Sequence, residues 1–146
     1  MSDIEAFLTS EEEQAIIESI RIAELNTSGE IRVHIERHTD QPVLNRTKEL
    51  FHDLKMDNTR LSNAVLFYLA IDDKTFAIYG DKGIHERVGD DFWNSTKSLM
   101  EQHFRKAEFK TGLIKGIEMA GEKLKRYFPY QQDDVDELPN DISVGP

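Results

Sequence analysis

The sequence predicts an α/β domain, a three-layer α/β/α sandwich around a mixed central sheet with Rossmann-like layering. Three observations carry this expectation. Ala64 to Ile71 is an almost unbroken apolar run, and after the polar break Asp72-Asp73-Lys74 comes a second apolar run, Thr75 to Tyr79. Two runs of strand length about a tight polar turn read as a β-hairpin. Neither run alternates with polar residues, so both faces of these strands need cover, as in a sheet held between helices. The chain has 146 residues, the length of one domain with enough material to bury a core unaided.

The other elements follow in order. Thr9-Ser10-Glu11-Glu12 predicts a helix start in which Thr9 and Glu12 cap each other and the acids meet the positive end of the helix dipole. Ile16, Ile17, Ile20 and Ala23 form its apolar stripe, and Asn26-Thr27-Ser28-Gly29 stops it. Glu30 leads a strand in which Ile31, Val33 and Ile35 face one way while Arg32, His34, Glu36 and His38 face the other. That alternation predicts a half-exposed strand at a sheet edge. Pro42 suits a first helical turn, and Val43, Thr47, Leu50, Phe51 and Leu54 recur at helical spacing as far as Met56. This crossover helix sets the two flanking strands parallel. The hairpin turn then reverses direction, so that Tyr79-Gly80-Asp81 finishes at the sheet end where Glu30 and Asn63 begin.

Lys82 to Gly89 reads as a loop, after which Asp90 or Asp91 can cap a helix striped by Phe92, Thr96, Leu99, Met100 and His103. Glu108 to Thr111 breaks that helix. Another carries Leu113, Ile117, Ala120, Leu124 and Tyr127 and ends before Pro129, and its glycines, Gly112, Gly116 and Gly121, suggest close approach to a neighbouring element. Residues 1–129 make the domain, and 130–146, with five acids and two prolines, read as a mostly disordered acidic tail.

Composition narrows the function. There is no cysteine, which excludes disulfides, thiolate metal sites and cysteine nucleophiles. The net charge of -10, from 28 acidic against 18 basic residues, repels phosphate backbones and anionic lipid, and no basic patch is segregated, so nucleic acid is not an expected partner. No stretch approaches the roughly 18 apolar residues of a membrane segment, and the N-terminus lacks signal-peptide character. A cytoplasmic location is the simplest expectation. No serine elbow or phosphate-cradling glycine loop is present.

What remains is acidic. Glu30, Asp81 and Asp90 or Asp91 gather at one sheet end, and hard divalent cations take carboxylate and carbonyl oxygens of this kind. Each acid also has an ordinary explanation as strand start, turn residue or helix cap, and the residues alone leave both open. Asp72 and Asp73 are reserve ligands, better explained by the hairpin turn. His34, Glu36 and His38 share a strand face at a spacing that could chelate zinc, although a solvated polar face explains them equally well. His85, beside the acids, is the histidine placed for proton transfer.

Taken together, Phe7-Leu8-Thr9, Thr27-Ser28-Gly29-Glu30-Ile31, Asn63-Ala64-Val65-Leu66 to Asp72-Asp73-Lys74, Tyr79-Gly80-Asp81-Lys82-Gly83-Ile84, Asp90-Asp91-Phe92-Trp93 and Gly112-Leu113 to Tyr127-Phe128-Pro129 form a recognisable series. In order and spacing it resembles the TPM-domain family, named after a thylakoid lumen protein, a photosystem II repair protein and a nematode receptor accessory protein. The resemblance covers about residues 5 to 129, and the chain looks like a stand-alone bacterial member. It implies an α/β/α sandwich and divalent-cation binding, calcium first and magnesium second, with Glu30, Asp81, Asp90 and Asp91 as the matching acids. For the plant member it implies an acid phosphatase activity, so a phosphate ester is one expected partner. The alternative expectation is a non-catalytic interaction module whose acidic surface binds a protein, with structural or incidental metal.

Overall fold

The structure, a computed structural model, describes residues 7–89, 91–130, 140 and 142–145. Helix α1 (Ser10–Glu24) precedes β1 (Glu30–Glu36), α2 (Val43–Asp53), β2 (Ala64–Ala70) and β3 (Thr75–Gly80). Then come α3 (Lys82–Val88), α4 (Asn94–Arg105), α5 (Phe109–Tyr127) and the short strand β4 (Ser143–Val144). The strands form one sheet in the order β3-β2-β1-β4. β1 and β2 are parallel, with Glu30 opposite Ala64 and Glu36 opposite Ala70, and β2 and β3 are the antiparallel hairpin. The mixed three-layer sandwich is therefore as the sequence predicts.

Each layer follows from the patterning. All seven residues of β2 are buried, as an apolar run without alternation requires. One sheet face carries Ala64, Leu66, Tyr68 and Ala70 against Leu50 and Phe51 of α2 and Met56 just beyond it. The opposite face carries Ile31, Val33, Ile35, Val65, Phe67 and Leu69 against α1, α4 and α5 through Ile16, Ile20, Met100, Leu113, Ile117 and Leu124. The α1 start forms the expected reciprocal cap: the Glu12 N–H donates to Thr9 Oγ1 (3.1 Å), and the Thr9 N–H donates to Glu12 Oε1 (3.0 Å). The glycines of α5 do mark close approach. A Cβ on Gly116 would lie 2.5 Å from Met100 Sδ, and one on Gly121 would lie 2.8 Å from the Ala23 Cβ.

Four expectations need correction. β1 is not an edge strand with a solvated polar face, because β4 pairs along its outer side and His34 and Glu36 are both buried. Residues 82–88 form helix α3 rather than a loop, with Asp81 as its N-cap: the Lys82 N–H donates to Asp81 Oδ1 (2.7 Å). α4 begins at Asn94 with no side-chain cap, and Asp91 sits in the turn before it. Residues 142–145, read as part of a disordered tail, instead hold a place beside β1; Ser143 pairs with His34, Val144 pairs with Ile35, and the Gly145 N–H donates to the Ile35 carbonyl (2.9 Å). The rest of that stretch, 131–139, 141 and 146, lies outside the described residues.

Leu66 sits in the strand covered on both faces and is fully buried. Leu66→Ala should destabilise the fold by about 2 to 5 kcal/mol in a urea melt, the range of large-to-small changes in sites that cannot collapse. A midpoint unchanged within error would mean that the α2 layer does not close over this face.

Candidate functional site

The acids at the amino end of the parallel strands sit on either side of Ala64. Glu30 is its register partner in β1, and on the other side the Asp81 N–H donates to the Ala64 carbonyl (2.9 Å). Two strand spacings separate the two backbones, roughly 9 to 10 Å. Both residues are buried, at 3% and 7% exposure. Asp81 is placed by the end of β3 and the start of α3, where its Oδ1 takes the Lys82 N–H. Its Oδ2 is buried and has no hydrogen-bond partner among the described residues. Burial raises the Asp81 pKa and the charge of nearby Asp57 adds to the rise, although the Lys82 bond opposes both.

The loop before β2 closes over the same corner. A Cβ on Gly83 would lie 2.4 Å from the carbonyl oxygens of both Leu61 and Ser62, so only glycine lets α3 come this near those oxygens. Asp91 is exposed, and its Oδ1 accepts from the Asn94 side-chain amide (3.3 Å). Asp90 lies outside the described residues. Among the described residues no three histidines or acids come close enough together to hold an ion. Glu30 and Asp81 thus share one sheet end as expected, and the three described acids, Glu30, Asp81 and Asp91, form no ion-holding group. His85 lies on the exposed side of α3.

Asp72 and Asp73 occupy the opposite end, where they fasten the hairpin to the chain leaving β1. Asp72 accepts from Arg37 Nε (3.1 Å); Asp73 binds His38 Nδ1 (2.6 Å) and the Thr39 N–H (2.9 Å). His38 also reaches Asp40 (2.7 Å), and its pKa is raised first by Asp73 and then by Asp40. A cleft of about 630 Å³ opens beside this turn, lined by Val43, Ile71, Phe76, Phe104 and Phe109. It is remote from Asp81 and belongs to no acidic site.

The strongest polar constellation lies at the carboxyl end of β1. Arg46 of α2 donates through Nε and Nη2 to the two Glu36 oxygens (2.9 Å each), and Tyr68 of β2 donates to Glu36 Oε2 (2.5 Å). His34 Nε2 lies 3.1 Å from Glu36 Oε1, and its Nδ1 lies 3.0 Å from Ser143 Oγ. A carboxylate only accepts, so Nε2 carries the proton and Nδ1 accepts from the Ser143 hydroxyl. Burial acts to raise the Glu36 pKa, yet the bonds from Arg46, Tyr68 and His34 outweigh it and bring the pKa down to about 2. His34 is lowered, chiefly by burial, and stays neutral. His34, Glu36 and His38 therefore do not chelate: the first two bind each other indoors and the third turns to Asp73.

With this geometry established, comparison with known proteins identifies the family. The TPM domain family model matches residues 1–123. The chain belongs to the TPM-domain family. The NMR structure of the BA42 protein from the psychrophilic bacterium Bizionia argentinensis is 57% identical, with a TM-score of 0.92 over 99% of this chain and 100% of that one. The N-terminal domain of a P. gingivalis protein gives a TM-score of 0.68 at 20% identity over 84% of this chain and 79% of its own. That of the cg2496 protein from Corynebacterium glutamicum gives 0.64 at 14% identity over 80% and 74%. The last two likenesses concern the fold alone. No curated protein matches this TPM domain.

Arg46 and Tyr68 were not among the residues singled out from the sequence, although a signal existed. Arg46 falls on the buried stripe of α2, three residues after Val43 and one before Thr47, and a charge at a stripe position demands a counter-charge on the facing strand. Arg46→Met should cost about 3 to 5 kcal/mol, because it leaves the Glu36 charge buried with its cation removed. The pH dependence has a definite sign. A depressed carboxyl contributes stability that is fully present above its unfolded value of 4.5 and is lost as pH falls from there through about 2. The stability gap between wild type and Glu36→Gln, from urea midpoints, should be widest above pH 4.5 and close on that descent; a gap constant across it would contradict the assignment.

Proposed function

We propose that this TPM domain binds a divalent cation, calcium first and magnesium second, at the Asp81 end of the sheet. The observation that carries the reading is the Asp81 Oδ2 atom, buried without a hydrogen-bond partner among the described residues. A carboxylate in that position is costly unless a proton or a cation compensates it, and its raised pKa expresses the same strain. The donors at hand are all hard oxygens: the Asp81 and Glu30 carboxylates and the carbonyls of Leu61 and Ser62 near Gly83. Calcium and magnesium accept such mixed carboxylate and carbonyl sets, completed by water. Asp91, in the turn before α4, and Asp90, outside the described residues, are the further ligands the family resemblance implies.

A phosphatase activity is the finer part of the proposal. When bound, the cation would supply Lewis-acid polarisation of a phosphoryl oxygen. The chain's own part would be for Asp81 to hold the ion while the exposed Lys82 offers its ammonium group to the anionic ester. Turnover of a generic phosphate ester that depends on calcium or magnesium and disappears in Asp81→Asn would support the enzyme. Cation binding without turnover would leave the site as a structural or regulatory one.

Binding is tested by melting. Calcium that binds the native state alone should add about 2.7 kcal/mol at a free concentration 100 times its dissociation constant. Asp81 has a raised pKa, so its ionised form opposes folding at neutral pH and the penalty is relieved as pH falls through its folded value. Asp81→Asn should therefore keep or raise the metal-free melting temperature while blunting the calcium response. Asp73→Asn, at the other sheet end, should leave that response intact. A response lost in Asp73→Asn and kept in Asp81→Asn would move the ion to the hairpin turn.

A further inference from the structure

We propose that the outer edge of β1, with the His34, Glu36, Arg46 and Tyr68 cluster beside it, is a docking site for an extended peptide strand. The pattern it takes is a hydroxyl residue opposite His34 followed two positions later by glycine, and β4 is its intramolecular occupant. The site is separate from Asp81 and does not depend on the cation.

The cluster belongs to the body of the domain. Arg46 comes from α2, Tyr68 from β2, and His34 and Glu36 from β1, so every bond to Glu36 survives when β4 leaves. The recognition surface is therefore preorganised before any strand arrives. The occupant, in contrast, is slight. β4 is two residues long, Val144 is 58% exposed, and Ile142 is the one apolar side chain of residues 142–145 that packs on the main core. Short, weakly buried elements open at low free energy. Once open, the carboxyl half of β1 presents the free backbone groups that make a sheet edge a template for another strand, while at its start the Ile31 N–H stays bonded to Glu24 Oε2 (2.8 Å).

The seated segment shows what the edge selects. Ser143 pairs with His34, and its hydroxyl meets the imidazole at 3.0 Å, so the neutral Nδ1 reads a hydroxyl donor. Two residues on, a Cβ at Gly145 would lie 2.4 Å from Glu36 Oε1 and 2.8 Å from His34 Nε2. Arg46 and Tyr68 hold Glu36 rigidly, so it cannot swing aside and the edge accepts only glycine there. The chain's own segment, being tethered, competes with any free peptide at an effective concentration on the order of millimolar.

The test uses the full chain and a fluorescein-labelled peptide of the sequence Asn140 to Pro146. Gly145→Val should expel β4, seen as loss of protection of the residue 145 amide in hydrogen exchange, and the variant should then bind the peptide saturably. Wild type should bind it at least about tenfold more weakly, because its own segment competes. The same peptide with valine in place of its glycine should not bind. Ser143→Pro provides an independent release, since it removes both the hydroxyl and a backbone donor. Release of β4 in either variant without peptide binding would overturn the proposal and leave β4 as a plain staple. Equal peptide affinity in wild type and Gly145→Val would show that β4 does not guard the edge. A mixture of wild type and Gly145→Val that sediments as a dimer would mean that the partner strand can come from a second copy, which supports the same edge.

Discussion

The buried charge of Glu36 constrains more of this structure than any apolar contact does. A carboxylate at 1% exposure is tolerable only when its oxygens are filled, and here Arg46, Tyr68 and His34 fill them. Those three residues come from the crossover helix, the central strand and the carboxylate's own strand. The network therefore fixes α2 rotationally over the sheet in a way that interchangeable aliphatic contacts do not. It also accounts for β1 being an interior strand despite its alternating pattern, because the polar face is satisfied by protein instead of water.

The sheet consequently has two unlike ends. At the carboxyl ends of the parallel strands, acids and bases pair off on the surface, Asp72 with Arg37 and Asp73 with His38. Such exposed pairs contribute little to stability and mainly orient the hairpin. At the amino end, Asp81 is buried and half-satisfied, which is the opposite economy. Residues used up in pairing are poor ligands, whereas a carboxylate oxygen held without a partner is available, and this contrast distinguishes the two ends more sharply than counting acids does.

Much of the fold was legible because it rests on period and punctuation. The apolar run of β2, the Asp72-Asp73-Lys74 turn and the Thr9 capping box each state a local structure that the tertiary fold leaves alone. The end shared by Glu30 and Asp81 followed from strand direction alone. What was not legible depended on partners distant in sequence. Arg32, His34 and Glu36 alternate with apolar residues as an exposed strand would, and it is Arg46, ten residues beyond Glu36, with Tyr68 and Ser143 further on, that satisfies the polar groups of His34 and Glu36 indoors. The helix over residues 82–88 was hidden by its brevity and its Gly83, which is required by the carbonyls of Leu61 and Ser62 and not by the helix itself. The strand at residues 143–144 was hidden because two residues carry no periodicity.

The same reasoning separates two ways in which a cation could act on a chain of net charge -10. Diffuse screening acts on exposed charges and falls off over about 8 Å at physiological ionic strength, treating all surface acids alike. Asp81 is not such a charge: its Oδ2 is out of contact with solvent, so mobile ions in the bulk cannot relieve it. A proton can do so, as can an ion that loses part of its hydration and enters the corner between α3 and the loop before β2. That corner supplies backbone carbonyls because Gly83 has no side chain to exclude them. The strain at Asp81 comes from its burial at the N-cap of α3, and the nearness of those carbonyls comes from the missing side chain at Gly83; the two features are separate, and on the proposed reading a cation uses both.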